Sequence, residues 1–345
     1  MGLDPAELAM LTDALRRTMS RASGPELVDA LGELGWPQLL DDAPELAVPL
    51  VFRLLGETGA HGPFLLDVLR HAGATPSALP FAGGRWVEWG DPLPAGGADA
   101  SEPGSGSTGS GSAGAGADGS GGSGAGVNGT GSDAIGSDAI SSDADSTGAS
   151  ESGASEPGSV DEALPLRAAA AGTTLPAHAL AEGRRALGWW LLGTGHAMLT
   201  LARTHVLERT QFGRPLASFQ AVRHRLAETL VALDGAEAAL LIADETADAA
   251  RNTDDAPATH GLDPAEAAVH AALLAKAAAG QAGLTAAKHC QQVLGGIGFT
   301  AEHALQSHIR RTLVLDGLLG STRELTREAG AYIRSAGAAP RLAQL

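Results

Sequence analysis

The sequence lacks residues and stretches on which several classes of protein depend. It contains one cysteine, Cys290, so no internal disulfide can form, and its cysteine and histidine positions do not have the spacing of a zinc site. Its apolar runs are too short to span a bilayer, and it does not begin with an apolar signal segment. These absences predict a cytoplasmic protein with no membrane segment and no metal site.

Positive charge is also scarce. The formal net charge is −17, and a strongly acidic protein repels the phosphate backbone, so we expect no nucleic acid partner. Residues 98–162 contain Asp and Glu but no Lys or Arg. Gly and Ser dominate this stretch and large apolar side chains are nearly absent, which leaves little to offset the entropy lost on ordering. We therefore expect 98–162 to be a disordered linker.

The chain before this linker has helical patterns and then a short strand pattern. The stretch GLDPAEL places Asp4 as an N-cap, a proline next and Glu7 three residues after the cap, which is a helix start signal. The stretch GRWVEWG, residues 84–90, alternates apolar and polar side chains as a strand does. We expect an N-terminal helical domain over 1–78 and a rudimentary β region over 79–97.

After the linker, a weak strand-like patch at 163–180 is expected to complete the β region. Residues 181–345 then have several long helical patterns separated by short turns. The first is apolar on most sides over 186–199 and is expected to be buried, and the last begins with Ser321 and Glu324 spaced as a capping box. The sequence predicts a mainly α protein whose C-terminal part is an antiparallel four-helix bundle.

No nucleophile triad is evident, and the glycine cluster at 295–298 lacks the preceding strand of a Rossmann fingerprint. Two stretches are more specific when taken together: ERTQFGRPLASFQAVRHRLAE (208–228) and QQVLGGIGFTAEHALQSHIRR (291–311). In this order they resemble the C-terminal bundle of acyl-CoA dehydrogenases, which have R-x-x-F-G-x-P followed by Q-x-L-G-G-x-G-F. The resemblance covers residues 180–335 and fails over the middle of the chain.

The resemblance implies a fold and a chemistry. Members of this oxidoreductase family have an N-terminal helical domain, a middle β-domain and a C-terminal four-helix bundle, with FAD between the last two. A carboxylate removes the α-proton of an acyl-CoA, and the β-hydride passes to the flavin. Here the middle β-domain is reduced to short strand patterns around the linker, so one wall of the flavin site is expected to be missing.

Four residues of the two motifs are implied to contact the ADP part of FAD in a neighbouring subunit: Arg209, Phe212, Gln292 and Gly296. An arginine supplies charge and a fork of donors for a diphosphate. A glycine lets the backbone approach a ligand closely. The resemblance therefore predicts that this chain binds FAD as part of a homo- or hetero-oligomer.

The position of the family's catalytic glutamate, in Y-E-G-T, is occupied by Leu319. The following glycine and the hydroxyl of Ser321 remain, so the resemblance implies a turn beside the flavin with Ser321 as a cofactor contact. Other members place a glutamate at the start of the first bundle helix, where this chain has Gly183 with Glu182 beside it. Glu182 is thus a weak candidate base, while Arg184 matches a position near the acyl-CoA.

The retained residues act on a neighbour's FAD, and the missing ones act on the chain's own substrate. We therefore expect an acyl-CoA dehydrogenase-type flavoprotein that completes the FAD site of a partner subunit and lacks its own base. A missing general base lowers the rate roughly 10²–10⁴-fold. The alternatives left open are a non-catalytic scaffold or regulatory relative that no longer binds flavin, and a standalone enzyme that uses Glu182.

Overall fold

The computed structural model describes residues 4–90, 164–251 and 263–336. These residues belong to one compact unit, formed by the chain before and after the acidic segment. The linker expected at 98–162 lies outside the described residues. The described part is mainly α, with one small sheet and one short hairpin, as the sequence predicted.

Five helices form the N-terminal region: α1 (Pro5–Met19), α2 (Pro25–Glu33), α3 (Trp36–Asp42), α4 (Pro44–Thr58) and α5 (Phe64–His71). The capping box expected at the start of α1 is confirmed. The Asp4 carboxylate accepts from the backbone N–H of Glu7 at 2.8 Å, and the Glu7 carboxylate accepts from that of Asp4 at 2.9 Å. Both orphan donors are thus satisfied, so the helix begins where the sequence predicts.

The β region is a three-stranded antiparallel sheet of β1 (Leu79–Phe81), β2 (Arg85–Trp89) and β3 (Leu166–Ala169). The strand expected at 84–90 and the strand-like patch near 163–170 are therefore confirmed, whereas residues 177–180 of the expected β remnant lie in a helix. The sheet is tied to a turn near the C-terminus by backbone hydrogen bonds. Leu319 N–H donates to the Pro80 carbonyl at 2.8 Å, and Ala82 N–H donates to the Gly317 carbonyl at 2.8 Å.

The C-terminal region begins with α6 (Ala177–Glu208), a hairpin of β4 (Thr210–Gln211) and β5 (Arg214–Pro215), and a 3-10 turn at Leu216–Ser218. It continues with α7 (Gln220–Arg251), α8 (Pro264–Leu294), a 3-10 turn at Gly295–Phe299, α9 (Ala304–Gly317) and α10 (Thr322–Ala336). Helix α6 thus starts slightly before the domain boundary expected at 181.

Helices α6 and α7 run antiparallel and approach closely through glycines. A Cβ atom at Gly188 would lie 2.5 Å from a Leu240 methyl, and one at Gly195 would lie 2.5 Å from a Leu233 methyl. Residues 186–195 of α6 are all buried, which confirms the expected buried segment. Helices α8, α9 and α10 pack beside this pair and complete the helical bundle that the sequence predicted.

Helix α6 also packs against the N-terminal region. The Phe52 and Trp190 rings meet edge to face with centroids 5.8 Å apart, and a Cβ at Gly193 would lie 2.1 Å from the Arg53 carbonyl oxygen. The N-terminal helices and the bundle therefore share one hydrophobic core. None of the helices in the described ranges is long and apolar enough to cross a membrane.

Candidate functional site

A surface groove of about 790 Å³ lies where α6 ends, α7 begins and α8 ends. Its lining combines residues of both sequence motifs: His205, Arg209, Gln211, Leu216, Ala221, Val222, Arg225, Gln292, Val293, Leu294, Gly295, Gly296 and Ile297. Three of the four residues predicted to contact FAD, namely Arg209, Gln292 and Gly296, thus meet in one groove. Their role as ligands stays a prediction.

The local backbone explains how these residues come together. Arg209 ends α6, where its N–H donates to the His205 carbonyl and its carbonyl accepts from Leu216 N–H, both at 2.9 Å. Gly295 ends α8 with φ of 64°, a conformation that a glycine adopts without strain. A Cβ atom added at Gly295 or Gly296 would meet no heavy atom within 4 Å. The glycine backbone is thus open to a ligand.

Phe212, the fourth predicted residue, lies beside the groove but does not line it. It sits at the tip of the β4–β5 hairpin with φ of 55°, and 88% of it is exposed. Its ring packs edge to face on Phe219 with centroids 6.2 Å apart, and the Arg214 guanidinium lies 4.2 Å from the Phe219 ring centre. An apolar side chain this exposed is available for contact with another molecule.

The groove is cationic, although the chain as a whole carries a net charge of −17. The guanidinium groups of Arg209 and Arg225 line it together with the imidazole of His205, and none of its lining residues is acidic. Burial lowers the pKa of His205, and His303 and Arg209 lower this pKa further. Sequence reasoning missed Arg225. Its spacing from Ala221 and Val222 on one helix face was the available signal.

The second predicted region lies at the other end of α6. Arg184 is only 6% exposed, and it is therefore not the exposed cation that its place at a helix start favours. Its Nε donates to the Leu319 carbonyl at 3.1 Å, and its Nη2 lies 3.5 Å from a Glu328 carboxylate oxygen. Burial lowers the pKa of Arg184, and Glu328 opposes that shift. The guanidinium thus supports the turn that carries Leu319.

Leu319 is 1% exposed and has a φ of 55°. A Cβ at Gly183 would lie 2.6 Å from a Leu319 methyl and 3.0 Å from a Leu69 methyl. The two positions at which the resemblance suggests a catalytic glutamate are therefore in contact with each other. Here both are apolar, and a leucine side chain fills the space between them.

A buried lysine that sequence reasoning missed fixes the same turn. Lys276 on α8 is fully buried, and its Nζ donates to the carbonyls of Asp316 at 2.9 Å and Gly320 at 2.5 Å. Burial lowers the pKa of Lys276 to about 7, which Asp316 partly opposes. Asp316 itself lies in α9, not in a loop, and its carboxylate accepts from the Thr322 hydroxyl at 2.5 Å.

Glu182, the weak candidate base, points to α7 and not to the Leu319 turn. Its carboxylate accepts from Arg185 at 2.8 and 2.7 Å and from Arg251 at 3.2 Å. Both carboxylate oxygens thus accept hydrogen bonds from guanidinium groups. This geometry disfavours Glu182 as a general base.

Ser321 is engaged in the expected capping box. Its N–H and hydroxyl donate to one Glu324 carboxylate oxygen at 2.9 and 2.8 Å. Ser321 follows the turn that Arg184 supports, whereas Arg209 lies 25 residues after Arg184 along α6, which is about 38 Å along the helix axis. The two regions are therefore too far apart for one dinucleotide to contact both Ser321 and Arg209.

Comparisons with known proteins agree with this geometry. Residues 170–331 match the family described as the C-terminal domain of acyl-CoA dehydrogenases. The acyl-CoA dehydrogenase FadE34 of Mycobacterium tuberculosis is 35% identical over 147 residues, which is 41% of this chain and 18% of that protein. IpdE2, an acyl-CoA dehydrogenase of the same organism, is 34% identical over 136 residues, which is 39% of this chain and 36% of that protein.

The chain thus spans less than two-fifths of the length of these curated relatives. Its fold is also similar to a variant of the Tcur3481-Tcur3483 steroid ACAD, at a TM-score of 0.55 and 17% identity, over 96% of this chain and 99% of that one. At this identity the likeness concerns the fold alone. Residues 170–331 therefore form a domain of the acyl-CoA dehydrogenase family.

Proposed function

We propose that this chain is a subunit of an acyl-CoA dehydrogenase assembly that supplies contacts to FAD and leaves proton abstraction to another subunit. The observation that carries the proposal is the contrast between the two ends of α6. One end bears an open cationic groove lined by Arg209, Gln292 and Gly296. The other end is closed by Leu319 at the position expected for the base.

The groove has the chemistry that a dinucleotide diphosphate requires. Arginine guanidinium groups bind phosphate through charge-assisted hydrogen bonds, and the open glycine backbone at Gly295 and Gly296 permits close approach. Arg209, Gln292 and Gly296 would hold the ADP part of FAD, and Phe212 would contact it from the hairpin. FAD, when bound, supplies the acceptor for the hydride removed from an acyl-CoA.

The closed end supports the assignment of proton abstraction to a partner. Leu319 and Gly183 carry no titratable group, and Glu182 is held by Arg185 and Arg251. The turn is also tied to β1 through Leu319 N–H. Since a general base must reach the proton that it removes, none of these three positions serves a substrate at this turn. An acyl-CoA would be bound by the partner, and Arg184, which the resemblance places near the acyl-CoA, would hold the Leu319 turn instead.

The proposal includes an organisation of the chain. We infer a helical domain over 1–78, a β remnant over 79–97 and 163–180, a linker over 98–162 and the bundle over 181–345. The bundle presents the groove, and the assembly is a homo- or hetero-oligomer in the cytoplasm. A second acyl-CoA dehydrogenase subunit with a complete β-domain is the partner that this arrangement fits.

The test is the visible spectrum of the chain purified alone and after co-expression with a full-length acyl-CoA dehydrogenase from the same locus. We expect flavin only in the co-expressed sample. Arg209→Ala should lower the flavin occupancy of the complex, since it removes a cation from the groove. Arg203→Ala is the matched control, because Arg203 is exposed on the same helix and does not line the groove.

Other outcomes distinguish the remaining functions. Colourless protein in both samples would contradict the proposal and favour the scaffold or regulatory relative. Flavin and acyl-CoA oxidation by the chain alone would favour the standalone enzyme, and Glu182→Gln would then be expected to abolish turnover. Unchanged flavin occupancy in the Arg209→Ala complex would contradict the role assigned to the groove.

A further inference from the structure

We propose that Arg225 is an additional phosphate-binding residue of the groove and that His289 positions it. This inference rests on the proposed function of the groove as a dinucleotide site. Neither residue belongs to the motif positions that carry the resemblance to the family. The pair links two helices, since Arg225 lies near the start of α7 and His289 near the end of α8.

The hydrogen bonds around His289 determine its protonation. The Thr229 hydroxyl donates to the Arg225 carbonyl at 2.8 Å and lies 2.9 Å from His289 Nδ1. Because a hydroxyl has one proton, it must accept from Nδ1–H. Arg225 Nη1 lies 3.2 Å from His289 Nε2. A guanidinium only donates, so Nε2 must be the acceptor. His289 is thus a neutral imidazole with one defined tautomer.

Burial keeps this arrangement in place. His289 is 9% exposed, and burial, followed by the charge of Arg225, lowers the pKa of His289. In a charged His289 the Nε2–H would face the Arg225 guanidinium. Two positive donors would then oppose each other without an acceptor, so the neutral ring is favoured. The neutral ring therefore acts as a fixed acceptor, and it holds one edge of the Arg225 side chain against α8.

Arg225 would have another position available without His289. The Glu228 carboxylate lies 3.7 Å from Arg225 Nη1, and both side chains are substantially exposed, at 60% and 39%. Such an exposed pair contributes little to stability. In the structure Arg225 Nη1 contacts both Glu228 and His289, and the bond to His289 ties Arg225 to α8. It uses one N–H of the guanidinium, which leaves other donors for a ligand in the groove.

The second cation makes the groove specific for a ligand with more than one anionic group. Arg209 and Arg225 come from opposite sides of the α6–α7 connection and line the same groove, whose described lining has no acid. Two cations that face one groove attract an anionic ligand more strongly than one cation does. A diphosphate offers one phosphate to each guanidinium, whereas a monophosphate satisfies one of them.

The test measures FAD affinity directly. The flavin is removed from the co-expressed complex, and FAD is titrated back with flavin fluorescence as the readout. Because a charge-assisted hydrogen bond to phosphate is lost, Arg225→Gln should weaken FAD binding about tenfold. His289→Leu should weaken it about three- to tenfold, while His289→Gln should remain close to the unmodified complex, because its amide oxygen can accept from Arg225.

A double variant separates positioning from a general structural role. If His289 acts through Arg225, His289→Leu should change FAD affinity little in the Arg225→Gln background. An equal loss in both backgrounds would overturn the positioning role. Denaturant unfolding of each variant checks that the bundle is intact, and Arg223→Gln, an exposed position of α7 outside the groove, is the control for charge.

The inference and the proposed function fail in different ways. If Arg209→Ala weakens FAD binding and Arg225→Gln does not, the inference is wrong and the groove remains the dinucleotide site. If neither variant changes the affinity for FAD, both are wrong. If Arg225→Gln weakens AMP as strongly as FAD, Arg225 binds a single phosphate, and the assignment of one phosphate to each guanidinium is overturned.

Discussion

The two ends of α6 differ in exposure, since one end lies in an open groove and the other lies in a packed core. At the C-terminal end, arginines and glycine backbone surround an open groove. At the N-terminal end, Leu319 fills the space above Gly183, and the turn that carries it is bound by β1, Arg184 and Lys276. One helix thus joins an open polar surface to a packed apolar turn.

This contrast explains how a chain can keep part of a site and lose another part. Polar residues at an open surface carry little of the folding free energy, so the proposed binding function is what would favour Arg209 and Gln292 there. A leucine in a buried turn improves packing where a glutamate would need to be desolvated. In this proposal the residues at the open end contribute to the free energy of binding, and those at the closed end contribute to the free energy of folding.

The strongest test restores an acid at the closed end. Leu319→Glu should lower the free energy of unfolding by about 3 kcal/mol or more, because a carboxylate is buried among apolar side chains. Chemical denaturation measures the change. Leu313→Glu, at an exposed position of α9, is the control and should change stability by less than about 0.5 kcal/mol. A stable Leu319→Glu chain that oxidises acyl-CoA alone would break the comparison.

A smaller effect is expected from adding a methyl group at Gly183, where α6 contacts Leu319. Gly183→Ala should destabilise the chain by about 1–3 kcal/mol, since its Cβ would lie 2.6 Å from a Leu319 methyl. Adding Leu319→Ala should remove part of that strain. Gly32→Ala in α2, where a Cβ meets nothing within 4 Å, is the control. Equal effects at both glycines would show that the contact is not tight.

The buried lysine predicts a dependence of stability on pH. Burial lowers the pKa of Lys276 from 10.5 to about 7, so between these values the unfolded chain holds a proton that the folded chain lacks. Stability from this group should therefore rise as pH increases above about 7, by up to about 1 kcal/mol per pH unit. Lys276→Met should remove that rise in denaturation curves at pH 7, 8 and 9.

Lys288→Met is the control for this pH dependence, because Lys288 is exposed on the same helix. It should leave the slope of stability against pH unchanged. A Lys276→Met chain with the original slope would mean that the rise comes from another group. Lys276 would then contribute less to the stability of the closed end than its two hydrogen bonds to carbonyls indicate.

The smallest effect on folding is expected at the open end. Gly296→Ala should change the free energy of unfolding by less than about 0.5 kcal/mol, since a Cβ there meets no heavy atom within 4 Å. It should nevertheless lower flavin occupancy in the co-expressed complex, because the methyl group would clash with the proposed position of the ADP part of FAD. Loss of stability without loss of flavin would contradict the description of this end as a binding surface.

Much of the local structure followed from short-range chemistry. Asp4 and Glu7 formed the expected capping box, and Ser321 and Glu324 formed the second. The alternation at 84–90 corresponds to β2. These features depend on residues within a few positions of each other, so the sequence carries the whole signal.

The candidate site was predictable only in part. The two motifs predicted Arg209, Gln292 and Gly296 as cofactor contacts, and the packing of the bundle places these residues in one groove. The motifs did not indicate Arg225, whose place in the groove and bond to His289 depend on how α7 packs on α8. A contact between residues 64 positions apart leaves no periodic trace in either helix.

By itself, the sequence determined the mainly α composition, the helix starts, the strands and the absence of a glutamate at residue 319. Only the tertiary structure decided that Leu319 meets Gly183, that Lys276 is buried beneath the same turn, and that two arginines share one groove. The physical reason is range. Caps and strands are governed by neighbours in the chain, whereas burial, pKa shifts and like-charge pairing arise when distant segments exclude water together.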